Sequence, residues 1–141
     1  MKRKANARWQ GTAKEGAGTL STQSGVLHDT PYSFVARFGD GKGTNPEELV
    51  AAAHAGCFTM ALSFMLNGAG FTADAIDTEA NLTMDQVNGA WTVTNVHLTT
   101  RARIPKIDAA KFAELASNAK ANCPISRLLN ATITLDAALV S

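Results

Sequence analysis

The sequence predicts an α+β fold built on antiparallel pairing, and three features carry that prediction. An uncharged apolar run from Leu49 to Leu66 has helix-start chemistry in front of it. Segments of apolar/polar alternation flank Asn88-Gly89, the signature of a two-residue hairpin. Strand-like segments precede and follow the helical ones, giving the order β-rich, helix, hairpin, helix, strand. At 141 residues, the chain is expected to form a single domain over residues 1–141, long enough to bury a core without disulfide help.

Ala7-Arg8-Trp9-Gln10 and Thr19-Leu20-Ser21-Thr22 are strand candidates on either side of the Gly-rich stretch Gly11 to Gly18. A third is Pro31 to Phe38, in which Tyr32, Phe34, Ala36 and Phe38 would share one face and Ser33, Val35 and Arg37 the other. After the flexible linker 39–44, Asn45 suits an N-cap and Pro46 the first helical position. Glu47 and Glu48 then fall where the helix dipole favours anions. Glycine near Asn67-Gly68-Ala69-Gly70 suits a left-handed helix end. Apolar on all sides, this helix is expected to be covered on more than one face.

In the hairpin, Ile76, Thr78, Ala80, Leu82 and Met84 alternate with polar residues. A type I′ turn at Asn88-Gly89 pairs Met84 with Val93. Further along, the apolar positions change parity between Val93 and Val96, so a β-bulge is expected near Thr94-Asn95. Asp108 caps a second helix, Ala109 to about Asn122, with Phe112, Leu115, Ala116 and Ala119 along one side. Pro124 bounds it, a short helical piece covers 125–129, and 131–137 reads as a last half-buried strand.

Composition narrows the function classes. A net charge of +1 gives no electrostatic case for nucleic acid. The basic start Met1-Lys2-Arg3-Lys4 runs into Ala5 to Gln10 with no apolar h-region, so a secretory signal is not expected. With two cysteines, this points to a reducing, cytoplasmic setting. Leu49 to Leu66 reaches the lower length limit for a membrane span, but its alanines and small polar residues and its lack of flanking basic loops favour a core helix and no membrane.

Cys57 lies in the middle of the apolar helix, where an inert buried thiol is the ordinary reading. A reactive one needs a lowered pKa, and three turns into the helix the N-terminal dipole gives little help. A separate cation is required, and Arg37, just before the helix, is the best candidate. Ten residues of helix span about 15 Å, so Glu47 and Cys57 cannot meet within one helix. If they share a site, Glu47 comes from a second copy packed across a two-fold axis. Cys123, in Asn122-Cys123-Pro124, is the only partner for a disulfide within the chain, though spacing does not establish one. His54, one turn before Cys57, reads better as a buried, hydrogen-bonded histidine than as a Cys-His base. Two cysteines and three scattered histidines without a CxxC give no metal-ligand spacing, and no cofactor is implied.

The segment from Gly43-Thr44-Asn45-Pro46-Glu47-Glu48 through His54-Ala55-Gly56-Cys57-Phe58 closely resembles the peroxidatic-cysteine motif of the OsmC and organic hydroperoxide resistance superfamily. Asn122-Cys123-Pro124 resembles its second-cysteine motif. The likeness extends to Ser24-Gly25-Val26-Leu27, Ala36-Arg37-Phe38 and Ile133-Thr134-Leu135-Asp136. It is closer to the OsmC branch, because the arginine lies just before the helix; Gly56 is a small local variation. The resemblance implies antiparallel sheets wrapped around a long central buried helix in an intertwined homodimer with shared active sites. It also implies a thiol-dependent peroxidase acting on organic hydroperoxides, and more weakly on hydrogen peroxide. Cys57 would be the peroxidatic residue and Cys123 the resolving one. Arg37, held by Glu47, would stabilise thiolate and leaving alkoxide, and a dithiol reductant, lipoyl-type dithiols included, would recycle the disulfide.

Two rival readings use the same residues. A thiol-based redox sensor or regulatory binding protein would oxidise reversibly without steady-state turnover. A Cys-His hydrolase would depend on His54, although no charged residue near it in sequence is placed to orient the ring.

Overall fold

Asn88 and Gly89 both adopt positive φ, 51° and 81°, the backbone that a type I′ turn requires. They join β4 (Ala75–Val87) to β5 (Ala90–Arg103). Met84 pairs with Val93, and Thr83 pairs with Asn95, so Thr94 is the inserted residue and the expected bulge is present. The extra residue restores the inward face: Val96, Leu98, Thr100 and Ala102 of β5 are all buried, opposite Leu82, Ala80, Thr78 and Ile76.

This hairpin belongs to a computed structural model describing residues Met1–Ser141. The other elements are β1 (Ala5–Gln10), β2 (Ala17–Thr22), β3 (Thr30–Tyr32), α1 (Phe34–Phe38), α2 (Pro46–Gly68), α3 (Ala109–Asn122), α4 (Pro124–Leu128) and β6 (Thr132–Leu139). The chain divides into two units, Met1–Leu49 and Val50–Ser141.

The second unit holds a three-stranded sheet in the order β4-β5-β6. The expected antiparallel pairing holds for β4 and β5 but needs correction at β6, which runs parallel to β5. The reason is the connection. Residues 104–131 carry α3 and α4 over one face, and such a crossover returns the chain in its original direction. The core of this unit comprises Phe58, Leu62 and Leu66 of α2, Val96, Leu98 and Ala102 of β5, Ile104, and Phe112, Leu115, Ala116 and Ala119 of α3, with Cys123. The predicted side of α3 is the buried one, and Asp108 caps it by accepting from the Lys111 amide.

In the first unit, β1, β2 and β3 form an antiparallel sheet in that order. The rings of Trp9 and Tyr32 lie 5.3 Å apart on it. The predicted strand 31–38 is corrected: β3 ends at Tyr32, and Phe34–Phe38 is a helical turn. Ser33 starts it by accepting from the Ala36 amide. The aromatic spacing had two readings. Phe34 and Phe38 are i and i+4, which puts them on one side of a helix as well as one face of a strand, and their centroids stand 4.7 Å apart. Arg37 therefore sits in the last turn of a helix, not on a strand.

Asn45 caps α2 by accepting from the Glu48 amide at 2.8 Å. Beyond Gly68 the chain turns through Gly70 at φ 84°. Along the helix His54, Phe58, Leu62 and Leu66, each four residues after the last, are the buried residues. The expectation of coverage on several faces is not met by one chain. Met60 and Phe64 remain 63% and 72% exposed, on a helix long and apolar enough to cross a membrane by length and composition.

Candidate active site

Cys57 and Cys123 are both free thiols, and their sulfurs lie 2.7 Å apart, with Cys123 donating to Cys57. Sixty-six residues separate them in sequence. Packing brings them together: Cys57 projects from the middle of α2, and Cys123 ends α3 and begins α4. Pro124, lacking an amide hydrogen, stops α3 and fits the first position of α4. Cys123 is fully buried and Cys57 half-buried, so Cys57 is the more accessible of the two thiols.

Burial pushes the Cys57 thiol above its ordinary pKa, and the hydrogen bond and charge of Cys123 push the same way. Only a hydrogen bond from the Ile125 backbone acts in the opposite sense. These influences favour the thiol over the thiolate, so a nucleophilic Cys57 needs positive charge in addition.

The candidate cation is built into the first unit. Arg37 donates from Nε to both Glu47 oxygens, at 3.0 and 3.1 Å, and from Nη2 to Oε1 at 2.6 Å. The carboxylate raises the guanidinium pKa still further, leaving Arg37 a permanent cation. Its guanidinium carbon is also 5.1 Å from the Phe38 ring centroid. The corner between α1 and α2 is fixed beneath it. Asn45 Nδ2 donates to the Ala36 carbonyl, Thr44 donates to Glu48, and the Thr44 amide donates to the Pro31 carbonyl. Gly43, at φ 116°, lets the chain pass against Pro31 where a Cβ would collide.

His54 is fully buried, and its Nε2 lies 2.7 Å from Ser126 Oγ on α4. It is thus a buried, hydrogen-bonded histidine. Its Nδ1, the atom a catalytic acid would orient in a hydrolase triad, has no partner. Sequence reading did not single out Ser126; the one available signal was its position three residues after Cys123, matching His54 three residues before Cys57. Nor did it find the half-buried hydroxyl chain in which Thr59 donates to Thr78, and Thr78 and Thr100 share a hydrogen bond, each link 2.8 Å.

With this geometry in view, comparisons with known proteins are decisive about family. The sequence model for OsmC-like proteins matches residues 39–138. The chain is 50% identical over 139 residues to Peroxiredoxin OsmC of Escherichia coli (strain K12), covering 99% of this chain and 97% of that protein. The chain belongs to the OsmC-like protein family. It is also 30% identical over 118 residues to the organic hydroperoxide resistance protein OhrB of Bacillus subtilis, covering 82% and 85% of the two chains. The crystal structure of OhrB superposes with a TM-score of 0.74 over 96% of this chain and 98% of that one, at 25% identity. An OsmC-like protein of unknown function from Vibrio cholerae gives 0.81 at 15% identity over 98% and 99%, a likeness of fold. The α+β architecture is therefore that of the OsmC-like family.

Proposed function

We propose that this chain is a thiol-dependent peroxidase that reduces organic hydroperoxides, and hydrogen peroxide more weakly, to alcohol or water. The observation that carries the reading is the pair of free thiols 2.7 Å apart, one half-buried and one fully buried. Half the sequence is shared with a protein named as a peroxiredoxin, which supports the same chemistry.

The Cys57 thiolate attacks one peroxide oxygen; the O–O bond breaks, an alkoxide leaves and takes a proton, and Cys57 becomes a sulfenic acid. Cys123 then attacks the Cys57 sulfur, an S–S bond forms, and the sulfenic oxygen leaves as water. In-line displacement requires that oxygen to stand opposite Cys123. With no space for it between sulfurs 2.7 Å apart, the peroxide approaches from the side of Cys57 away from Cys123. A dithiol, of lipoyl type among others, restores both thiols by exchange and is itself oxidised to a disulfide. Such cycling suits the reducing cytoplasm.

The active form is a homodimer. Met60 and Phe64 project from α2 beside Gly56, whose vacant side has nothing within 4 Å. A second copy packed on this face removes the apolar stripe from water. In the first unit only Gly18, Ala36 and Thr44 are buried, too little for a core of its own. Glu47 and Cys57, ten residues apart on α2, are about 15 Å apart along the axis. The Arg37-Glu47 pair is therefore assigned to the Cys57 of the partner. Because the two side chains are locked together within one chain, they arrive as a unit. Replacement Cys57→Ser tests the reading: cumene hydroperoxide turnover with a dithiol should vanish, and retained turnover would reject it.

A further inference from the structure

Two side-chain bridges, not one, join α2 to the segment that follows α3. Cys57 meets Cys123 at 2.7 Å, and His54 meets Ser126 at 2.7 Å. His54 precedes Cys57 by three residues, and Ser126 follows Cys123 by three. The two bridges are rungs one helical turn apart between segments of opposite direction.

The second rung acts on a lightly held segment. α4 is a single turn of five residues with none buried, and Leu128 on it is 74% exposed. Its packing against the core comes from the partly buried Ile125. The His54 ring is completely enclosed, and with Nδ1 unpartnered, Ser126 is its sole hydrogen-bond anchor. Breaking that bond would leave the ring buried with neither nitrogen satisfied. The bond is thus costly to open, and it fixes the segment that begins at Cys123.

We propose that His54 and Ser126 form a positioning latch that holds Cys123 in line with Cys57 for the disulfide-forming step. The proposal rests on the peroxidase reading for its place in turnover, but the latch governs any displacement by Cys123 at the Cys57 sulfur. It takes no part in the peroxide step, which occurs on the other side of Cys57.

Ser126→Ala removes the anchor with the least change in volume, and Ser126→Thr keeps a hydroxyl. With the full-length protein, an aromatic disulfide reagent such as DTNB separates the two steps without peroxide. Cys57 attacks the reagent's disulfide, releases one coloured thiolate and remains as a mixed disulfide. Cys123 then attacks the Cys57 sulfur and releases the second thiolate as the internal disulfide forms. In Ser126→Ala the second release should slow by roughly tenfold to a hundredfold, with the first near the wild-type rate, and Ser126→Thr should recover the second. With one equivalent of peroxide, Ser126→Ala should also accumulate sulfenic acid at Cys57, and with excess peroxide a second equivalent should carry it on to sulfinic acid. An unchanged second release overturns the latch, as does equal slowing of both steps, which would make Ser126 a support of the fold. Failure of the wild-type protein to consume peroxide would reject the peroxidase reading and leave the two-step release to decide the latch.

Discussion

Arg37 and Glu47 are ten residues apart and joined by three N–H···O contacts between 2.6 and 3.1 Å. Two donors of the guanidinium meet both carboxylate oxygens, which sets the plane of the group as well as its position. A cation held this way is aimed, and an aimed cation can favour a thiolate that burial disfavours.

The first prediction concerns that cation. Arg37→Met should slow the peroxide step by about a hundredfold. Arg37→Lys should rescue it only in part, because an ammonium cannot reproduce the two-pronged contact. Without the cation, burial and Cys123 leave the Cys57 pKa high, so the thiolate-dependent rise of the pH–rate profile should move to higher pH. Stopped-flow measurement of peroxide consumption across pH checks both effects. A profile that stays in place in Arg37→Met would remove Arg37 from the site.

The second concerns the division of labour between the thiols. Cys123→Ser should complete one turnover at close to the wild-type rate and then stop in steady state, with Cys57 progressing to sulfinic acid under excess peroxide. Intact-mass measurement after a stoichiometric peroxide pulse reads the added oxygen directly. Continued multiple turnover by Cys123→Ser with the same dithiol would show that resolution does not need Cys123.

Much of the scaffold was legible because local chemistry and tertiary packing agree. Asn45, Asp108 and Pro124 mark helix boundaries through caps and a missing amide, and the parity change after Val93 required Thr94 to bulge. Residues 34–38 misled because an i, i+4 aromatic pair satisfies a helix face and a strand face alike, and Ser33 decides between them. The direction of β6 was hidden for another reason. A strand's pattern reports which face is buried, whereas its direction depends on how α3 and α4 carry the chain. Of the proposed site, Cys57, Cys123, Arg37 and Glu47 stand out in the sequence as residue types within motif-like segments. Ser126 carries no chemical signal until folding places it 2.7 Å from His54.

The third prediction addresses the exposed face of α2. Met60→Glu puts a charge in the middle of the apolar stripe, where two copies would have to bury it. Sedimentation velocity should show the wild-type chain as a dimer and Met60→Glu shifted strongly toward monomer, with peroxide turnover falling in parallel. Because Met60 faces solvent in the isolated chain, the monomer should keep by circular dichroism the helices and sheet of the second unit, which carries its own core. A wild-type chain that sediments as a monomer at micromolar concentration would dismantle the assignment of Arg37 and Glu47 to the partner's Cys57.

The fourth uses the buried histidine as a probe of stability against pH. Burial lowers the His54 pKa below the ordinary 6.5, so the folded protein holds the ring neutral while the unfolded chain takes up a proton near pH 6.5. Between the lowered folded value and 6.5 the unfolded state binds more protons, and stability therefore rises with pH in that window. The contribution is complete above pH 6.5 and is lost as pH falls from there through the folded value. His54→Gln keeps an amide that can reach Ser126 but cannot titrate. Its thermal midpoint should decline less steeply from pH 7 to pH 5 than that of the wild-type protein, even if it starts lower. Scanning calorimetry of both proteins at a series of pH values compares the slopes, and equal slopes would mean that His54 does not titrate differently on folding.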